Sequence, residues 1–208
     1  MRGKYQQGRQ SFDKERIVTM SDRLFSPKKA EKLLREERRK TVPVDKVVSL
    51  LELNGNEKVI DLGAGNGYLT LPIANSTKER VTAVDVQMEM LDMLASRAEG
   101  EGLQNIERLE SRVERLNLPD GSFERAVAAF VLHEVTDLQE TLREIRRVLN
   151  ENGLLLILDW EKVESEEGPP LDHRISSEEM KQAVEGQGFT VETGRLNQAV
   201  YYLIAREN

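Results

Sequence analysis

Two aspartates, Asp61 and Asp85, are the residues of this sequence whose surroundings say most about chemistry. Asp61 sits in the run Lys58–Thr70, K-V-I-D-L-G-A-G-N-G-Y-L-T. Val59, Ile60 and Leu62 predict a short strand buried on both faces. Gly63, Gly65 and Gly67 then form a G-x-G-x-G turn, which bends sharply and lets a ligand approach the backbone with no Cβ in the way. The apolar segment Tyr68–Ala74 predicts a helix after it. Strand, glycine turn and helix N-terminus make a nucleotide-type crevice. A second apolar run, Arg80–Val86 (R-V-T-A-V-D-V), ends in Asp85, an acid placed to take both hydroxyls of a ribose. The dinucleotide fingerprint G-x-G-x-x-G needs its third glycine where Tyr68 stands, which argues against a nicotinamide cofactor.

The glycine turn with Asp61 before it and Asp85 after it resembles motifs I and II of the class I S-adenosylmethionine-dependent methyltransferases. The resemblance covers about residues 43–206. It implies S-adenosyl-L-methionine as cofactor and a sheet of seven strands in the order 3-2-1-4-5-7-6, the last antiparallel. It also implies roles. Gly63, Gly65 and Gly67 frame the methionine part, Asp61 holds its amino group, Asp85 chelates the ribose, and Val86 or Gln87 lies beside the adenine. The family often reads G-D-A-x-x-L-P before the fourth strand, its aspartate meeting the adenine amino group. Here the stretch is S-R-V-E-R-L-N-L-P, with Arg112 at that position. A guanidinium has no acceptor, so Arg112 is expected to stack on the ring or to pair with a neighbouring acid. The backbone of Val113 remains available to the ring nitrogens.

Phe130–Asp137, F-V-L-H-E-V-T-D, marks the end of the fourth strand, below the expected position of the transferable methyl group. His133 is the candidate catalytic residue, able to take a proton from a hydroxyl or amine as it is methylated. The alternative is a histidine that caps the next helix or packs on the cofactor. Phe130 reads as core or as cofactor wall. Trp160, the chain's one tryptophan, follows the fifth strand. A half-exposed ring there suits an apolar or aromatic acceptor, and a seal on the sheet edge is the equal alternative. His173 lies in the loop G-P-P-L-D-H-R, either over the acceptor or facing solvent. Glu134 and Asp137 are too few acids for a metal-dependent site, so no metal is expected.

The chain's bulk properties agree with such a protein. Its 208 residues suffice for one α/β domain with an extension, and 38% hydrophobic with 32% charged residues describe a globular chain. There are no cysteines, which removes disulfides and thiolate chemistry together. No run reaches the roughly 20 apolar residues needed to span a bilayer, and no signal sequence is apparent, so a cytoplasmic protein is expected. The net charge of −7 is uneven: residues 1–40 hold about 13 of the 30 basic residues against 6 of the 37 acids. That segment reads as a solvated helix face or as a patch for an anionic partner. The acidic remainder argues against long nucleic acid.

Periodicity supplies the elements that position these residues. Ser26-Pro27 predicts a helix start running on to Lys40, with a thin apolar stripe (Ala30, Leu33, Leu34) and hence a surface position. A second helix from Pro43 carries Val44, Val47, Val48 and Leu51 at i, i+3, i+4 and i+7. Further helices are expected over 87–98, 138–149 and 176–187, the last with Ser176 and Glu179 as a capping box. Strands are expected over 105–110, 123–132, 154–158, 189–195 and 198–205. The whole predicts a doubly wound, mostly parallel α/β sheet with helices on both faces. Residues 1–42 are expected to form an arm and cap helix, and 43–208 the cofactor-binding domain. The function expected is methyl transfer to a small-molecule acceptor. The alternatives are a non-catalytic S-adenosylmethionine-binding module and a methyltransferase with an RNA or protein acceptor.

Overall fold

The computed structural model describes residues 26, 27, 30 and 34–207. A seven-stranded sheet carries the fold, ordered β3-β2-β1-β4-β5-β7-β6. Its strands are β1 (Val59–Leu62), β2 (Val81–Asp85), β3 (Ile106–Glu110), β4 (Phe123–Ala129), β5 (Leu149–Trp160), β6 (Phe189–Arg195) and β7 (Val200–Glu207). β1 to β5 pair in parallel, β7 runs antiparallel to β5, and β6 antiparallel to β7. The helices are α1 (Glu36–Thr41), α2 (Val44–Leu50), α3 (Thr70–Ser76), α4 (Met88–Gly100), α5 (Leu138–Val148) and α6 (Ser177–Glu185).

Successive strand residues point to opposite faces, and the central strands are apolar at both parities. In β5, Leu155 and Ile157 join Leu142, Ile145 and Val148 of α5 and Met180 and Val184 of α6. Leu154, Leu156 and Leu158 join Val47, Leu51 and Ile73 on the other face. Leu91 and Leu94 of α4 pack on Ala83 of β2. Two covered faces explain the continuous hydrophobic runs of β1, β2 and β5, and they bury every residue of β1 and β2, the two acids included.

Several elements differ from expectation. The helix from Ser26 to Lys40 is not continuous: Arg35 is extended (φ −67°, ψ 157°) and α1 begins after it. Leu33 lies outside the described residues, while Ala30 is buried, its carbonyl accepting from Asn66 Nδ2 at 2.9 Å. α1 lies on the surface as expected, with no buried residue, yet the segment is tied to the domain: Tyr68 Oη donates to the Val42 carbonyl and Asn197 Nδ2 to that of Thr41. α2 and its C-cap bury Val47 and Leu51 fully but leave Val44 and Val48 partly exposed. β4 stops at Ala129, because Phe130 turns into the left-handed region at φ 60°. β5 starts at Leu149, its polar Asn150–Gly153 stretch absorbed as a register shift against Phe123–Arg125. Among the described residues, no helix is long and apolar enough to cross a membrane.

Gly67 shows how tightly the first turn is packed. At φ 83°, a Cβ there would sit 2.5 Å from Leu71 Cδ1 and 2.9 Å from Leu94 Cγ, between α3 and α4. Gly67→Ala is therefore expected to cost at least about 1–3 kcal/mol from overpacking, besides the left-handed strain. Urea denaturation reads this as a lowered midpoint; an unchanged midpoint would refute the packing account.

Candidate active site

The carboxyl ends of β1, β2, β4 and β5 open into one cavity of about 770 Å³, the crevice position expected of an open parallel sheet. Asp61, Gly63, Gly65, Asp85, Val86, Gln87, Val113, Phe130, His133, Trp160 and His173 all line it. Residues from six separate stretches of chain thus meet at one place. Gly67 is not in the lining; it supports the turn from behind, against Leu71 and Leu94.

The β1–β2 half is acidic. Asp61 is buried and accepts a 2.6 Å hydrogen bond from Thr70 Oγ1. Among the described residues no cation pairs with it. Burial pushes its pKa up to about 7 against the Thr70 bond, and nearby Asp85 adds to the rise. Asp85 takes two backbone N–H groups, Gln87 N on Oδ1 and Gly65 N on Oδ2, each at 2.9 Å. It is thus a clamp between the turn after β2 and the glycine turn, and not the cap of α4, whose N-cap is Gln87. Burial raises its pKa as well, against those hydrogen bonds. Gly63 admits no side chain, since a Cβ would lie 2.7 Å from Val131 Cβ.

Arg112 settles on an acid. Its Nη2 donates to Glu114 Oε1 and to Thr136 Oγ1, each at 2.9 Å, and it does not line the cavity. Glu114 is buried and also accepts from the Thr136 backbone. Sequence reasoning passed over Glu114, whose one signal was an acid two residues from an out-of-place arginine.

The β4–β5 half is aromatic and holds the histidine. His133 Nδ1 lies 2.6 Å from Oδ1 of Asp159, a 1% exposed carboxylate ending β5. The same oxygen accepts from the Trp160 backbone at 2.8 Å, and Asp159 Oδ2, also buried, has no partner among the described residues. Glu134 Oε1 stands 3.8 Å from His133 Nε2. Burial lowers the His133 pKa, but the Asp159 charge and hydrogen bond, with Glu134, outweigh it and leave the pKa raised. The Asp159 contact assigns the proton of neutral His133 to Nδ1, so Nε2 carries the lone pair. The following helix is capped by Asp137, which accepts from Glu140 N, so capping is not the role of His133.

Trp160 is 6% exposed, not half-exposed, and β5 is an interior strand, so it seals no sheet edge. Its ring tilts 49° against Phe130 at 5.3 Å between centroids. Arg174, another residue the sequence did not single out, organises the loop after β5. Its guanidinium donates to the carbonyls of Glu161, Val163, Glu167 and Pro169 and to Ser165 Oγ, at 2.8–3.2 Å. That loop delivers Glu166, Glu167, Gly168, Pro169, Pro170 and the half-buried His173 to the cavity. Among the described residues, no three His, Asp or Glu side chains are grouped to hold a metal ion.

Comparison with known proteins agrees with this geometry. Residues 60–157 match the family model described as a methyltransferase domain. The chain is 28% identical over 130 residues to the uncharacterized methyltransferase YcgJ of Bacillus subtilis, covering 62% of this chain and 50% of that protein. It is 34% identical over 109 residues to the ubiquinone/menaquinone biosynthesis C-methyltransferase UbiE of Cronobacter sakazakii, covering 51% and 43%. The chain thus spans about half the length of the curated relatives it matches. A solved S-adenosylmethionine-dependent methyltransferase from Aquifex aeolicus superposes with a TM-score of 0.82 at 29% identity, over 88% of this chain and 98% of that one.

Both halves of the cavity make predictions that need no ligand. Native Asp61 keeps its proton up to about pH 7, whereas the unfolded chain releases it near 3.8. The native state then binds more protons than the unfolded state between those values, so stability falls as pH rises from about 4 to about 7, by up to roughly 4 kcal/mol. Asp61→Asn is expected to flatten that slope in denaturation curves; an unaltered slope rejects the assignment. For His133, proton NMR of the two histidines, assigned with His173→Ala, should show a pKa above the ordinary value that drops in Asp159→Asn. A titration indifferent to Asp159 would count against the dyad.

Proposed function

We propose that this chain, which belongs to the class I S-adenosylmethionine-dependent methyltransferases, transfers a methyl group in line to a small-molecule acceptor bound over the β4–β5 end of its cavity. The observation that carries the reading is Asp61. A buried carboxylate without a cationic partner among the described residues, beside a glycine turn and next to a second acid on the adjacent strand, fits a ligand with an ammonium group at one end and a ribose at the other. S-adenosylmethionine has both, and when bound it supplies a methyl carbon already activated by a sulfonium.

The residues of this chain then have the following work. Asp61 takes the ammonium, while Gly63 and Gly65 let the methionine tail lie against backbone. Asp85 is oriented by its two backbone donors, and each oxygen keeps a further lone pair for a ribose hydroxyl. Val86, Gln87 and Val113 border the adenine, and Phe130 walls the cofactor from the strand side. Methyl transfer from a sulfonium needs alignment and exclusion of water more than covalent help. A base is needed only if the nucleophile bears a proton, and His133 Nε2, oriented through Nδ1 by Asp159, is placed to accept it. An oriented base of this kind favours catalysis over a cofactor-sensing module. Trp160 and His173 border the acceptor. A small, partly aromatic acceptor is supported by the Phe130–Trp160 wall and by the similarity to a ubiquinone/menaquinone biosynthesis C-methyltransferase.

The test is calorimetric binding of S-adenosylmethionine and S-adenosylhomocysteine, with NAD as control, to wild type and Asp85→Ala. Binding of the first two at micromolar concentration, absent for NAD and lost in the variant, is expected. At pH near 7 the wild-type enthalpy should vary with the buffer, because the incoming ammonium displaces the proton on Asp61. Binding of NAD alone, or of none of the three, overturns the reading.

A further inference from the structure

Arg38 lines the cavity and has no part in the chemistry proposed above. The sequence puts it in a basic stretch resembling a solvated helix face, but α1 turns it inward. Its Cζ lies 4.0 Å from the Phe130 ring centroid and 5.9 Å from those of Tyr68 and Trp160. Stacking on a ring uses the flat face of a guanidinium and leaves its N–H donors pointing out in plane. Burial lowers its pKa to about 10, offset in part by Tyr68, Glu167 and Asp159, so it is charged at neutral pH. Among the described residues no carboxylate forms an ion pair with it, and its Nε–H, sealed from solvent, has no acceptor. Charges withdrawn from solvent are ordinarily paired. Arg38, half-buried with its Nε sealed, has only aromatic faces among the described residues.

Its location separates two sources for the missing anion. Asp61 and Asp85, proposed to hold the cofactor, end β1 and β2. Arg38 stands closest to Phe130, which follows β4, with Trp160 at the end of β5 and Tyr68 after the glycine turn both farther off at 5.9 Å. That is the end of the cavity that also holds His133 and the Glu166–His173 loop.

We propose that Arg38 binds the acceptor, and that the acceptor is an aromatic or otherwise planar carboxylic acid. This rests on the function proposed above and narrows its substrate class. The carboxylate would take two parallel N–H bonds from the guanidinium, and its ring would lie against the Phe130–Trp160 wall. Arg35, also in the lining, adds positive charge at the same helix start. Glu134, Glu166 and Glu167, elsewhere in the lining, limit the acceptor to a single anionic group placed at Arg38.

The experiment uses the full chain saturated with S-adenosylhomocysteine, titrated calorimetrically with benzoate and with its neutral analogue benzamide. Wild type is expected to bind benzoate at least tenfold more tightly than benzamide. Arg38→Met should erase that preference, Arg38→Lys should keep part of it, and S-adenosylhomocysteine affinity should stay within twofold in both variants. Should Arg38→Met fail to fold, Arg38→Lys alone decides, because a point charge that lacks the planar fork must still weaken benzoate more than benzamide. Equal affinity of wild type for the two probes, or no binding of benzoate, overturns the proposal. So does a tenfold loss of S-adenosylhomocysteine affinity in either variant, which would assign Arg38 to the cofactor's own carboxylate. Failure of wild type to bind S-adenosylhomocysteine would strike the proposed function instead.

Discussion

Three aspartates sit at the carboxyl ends of three parallel strands, and each has been taken out of water by the sheet that carries it. Asp61, Asp85 and Asp159 end or nearly end β1, β2 and β5, at 2%, 8% and 1% exposure. Covering both faces of a parallel sheet buries whatever the strands carry, and a buried carboxylate must be compensated or protonated. Each of the three meets that constraint differently. Asp85 is compensated by backbone donors, Asp159 by a histidine, and Asp61 by one hydroxyl and a pKa pushed up to about 7. The division of the cavity follows from these three solutions. Where compensation is least complete, a cationic ligand group gains most.

The glycine turn makes that division possible, and its glycines do different jobs. Gly63 gives way to Val131 at the start of the β4 loop, Gly65 donates its N–H to Asp85, and Gly67 yields to Leu71 and Leu94. One glycine thus serves the neighbouring loop, one the carboxylate of Asp85 and one the packing of α3 on α4. A motif that looks like a single ligand cradle is also what holds β1, β2 and the two helices at their separations. Strand–turn–helix geometry and ligand access are consequences of the same small side chains.

Opposite the sheet, the cavity is closed by two segments of weaker internal order. α1 has six residues and no buried side chain, too short to stand alone. It is held by carbonyls at Thr41 and Val42, bonded to Asn197 and Tyr68, and by Arg38 on the aromatic rings. The loop after β5 has no helix beyond a single 3₁₀ turn, Leu171–His173, and depends on the five hydrogen bonds of Arg174. Both segments thus rely on arginines that satisfy backbone or stack on rings. Such segments are the ones expected to adjust when an acceptor enters.

The sequence by itself determined the order and type of the strands and helices of residues 43–207, the sheet order through the family resemblance, the positions of Asp61, Asp85 and Trp160 at strand ends, and that of His133 in the stretch that leaves β4. Those features are local. Apolar runs, the alternation of helix and strand, glycine spacing and the capping box at Ser176 are all written within a few residues of one another. Tertiary structure alone decided the partnerships. His133 and Asp159 are 26 residues apart in sequence, Arg112 chose Glu114 and Thr136, and Arg38 crossed from an apparent solvent face to the rings of Phe130, Tyr68 and Trp160. The break at Arg35 that reorients α1 has no periodic signature either. Periodicity reports which face of an element is buried, but not which distant side chain completes a charge or hydrogen bond there. That choice depends on the register of β4 against β5 and on the path of the loops, which only the folded chain sets.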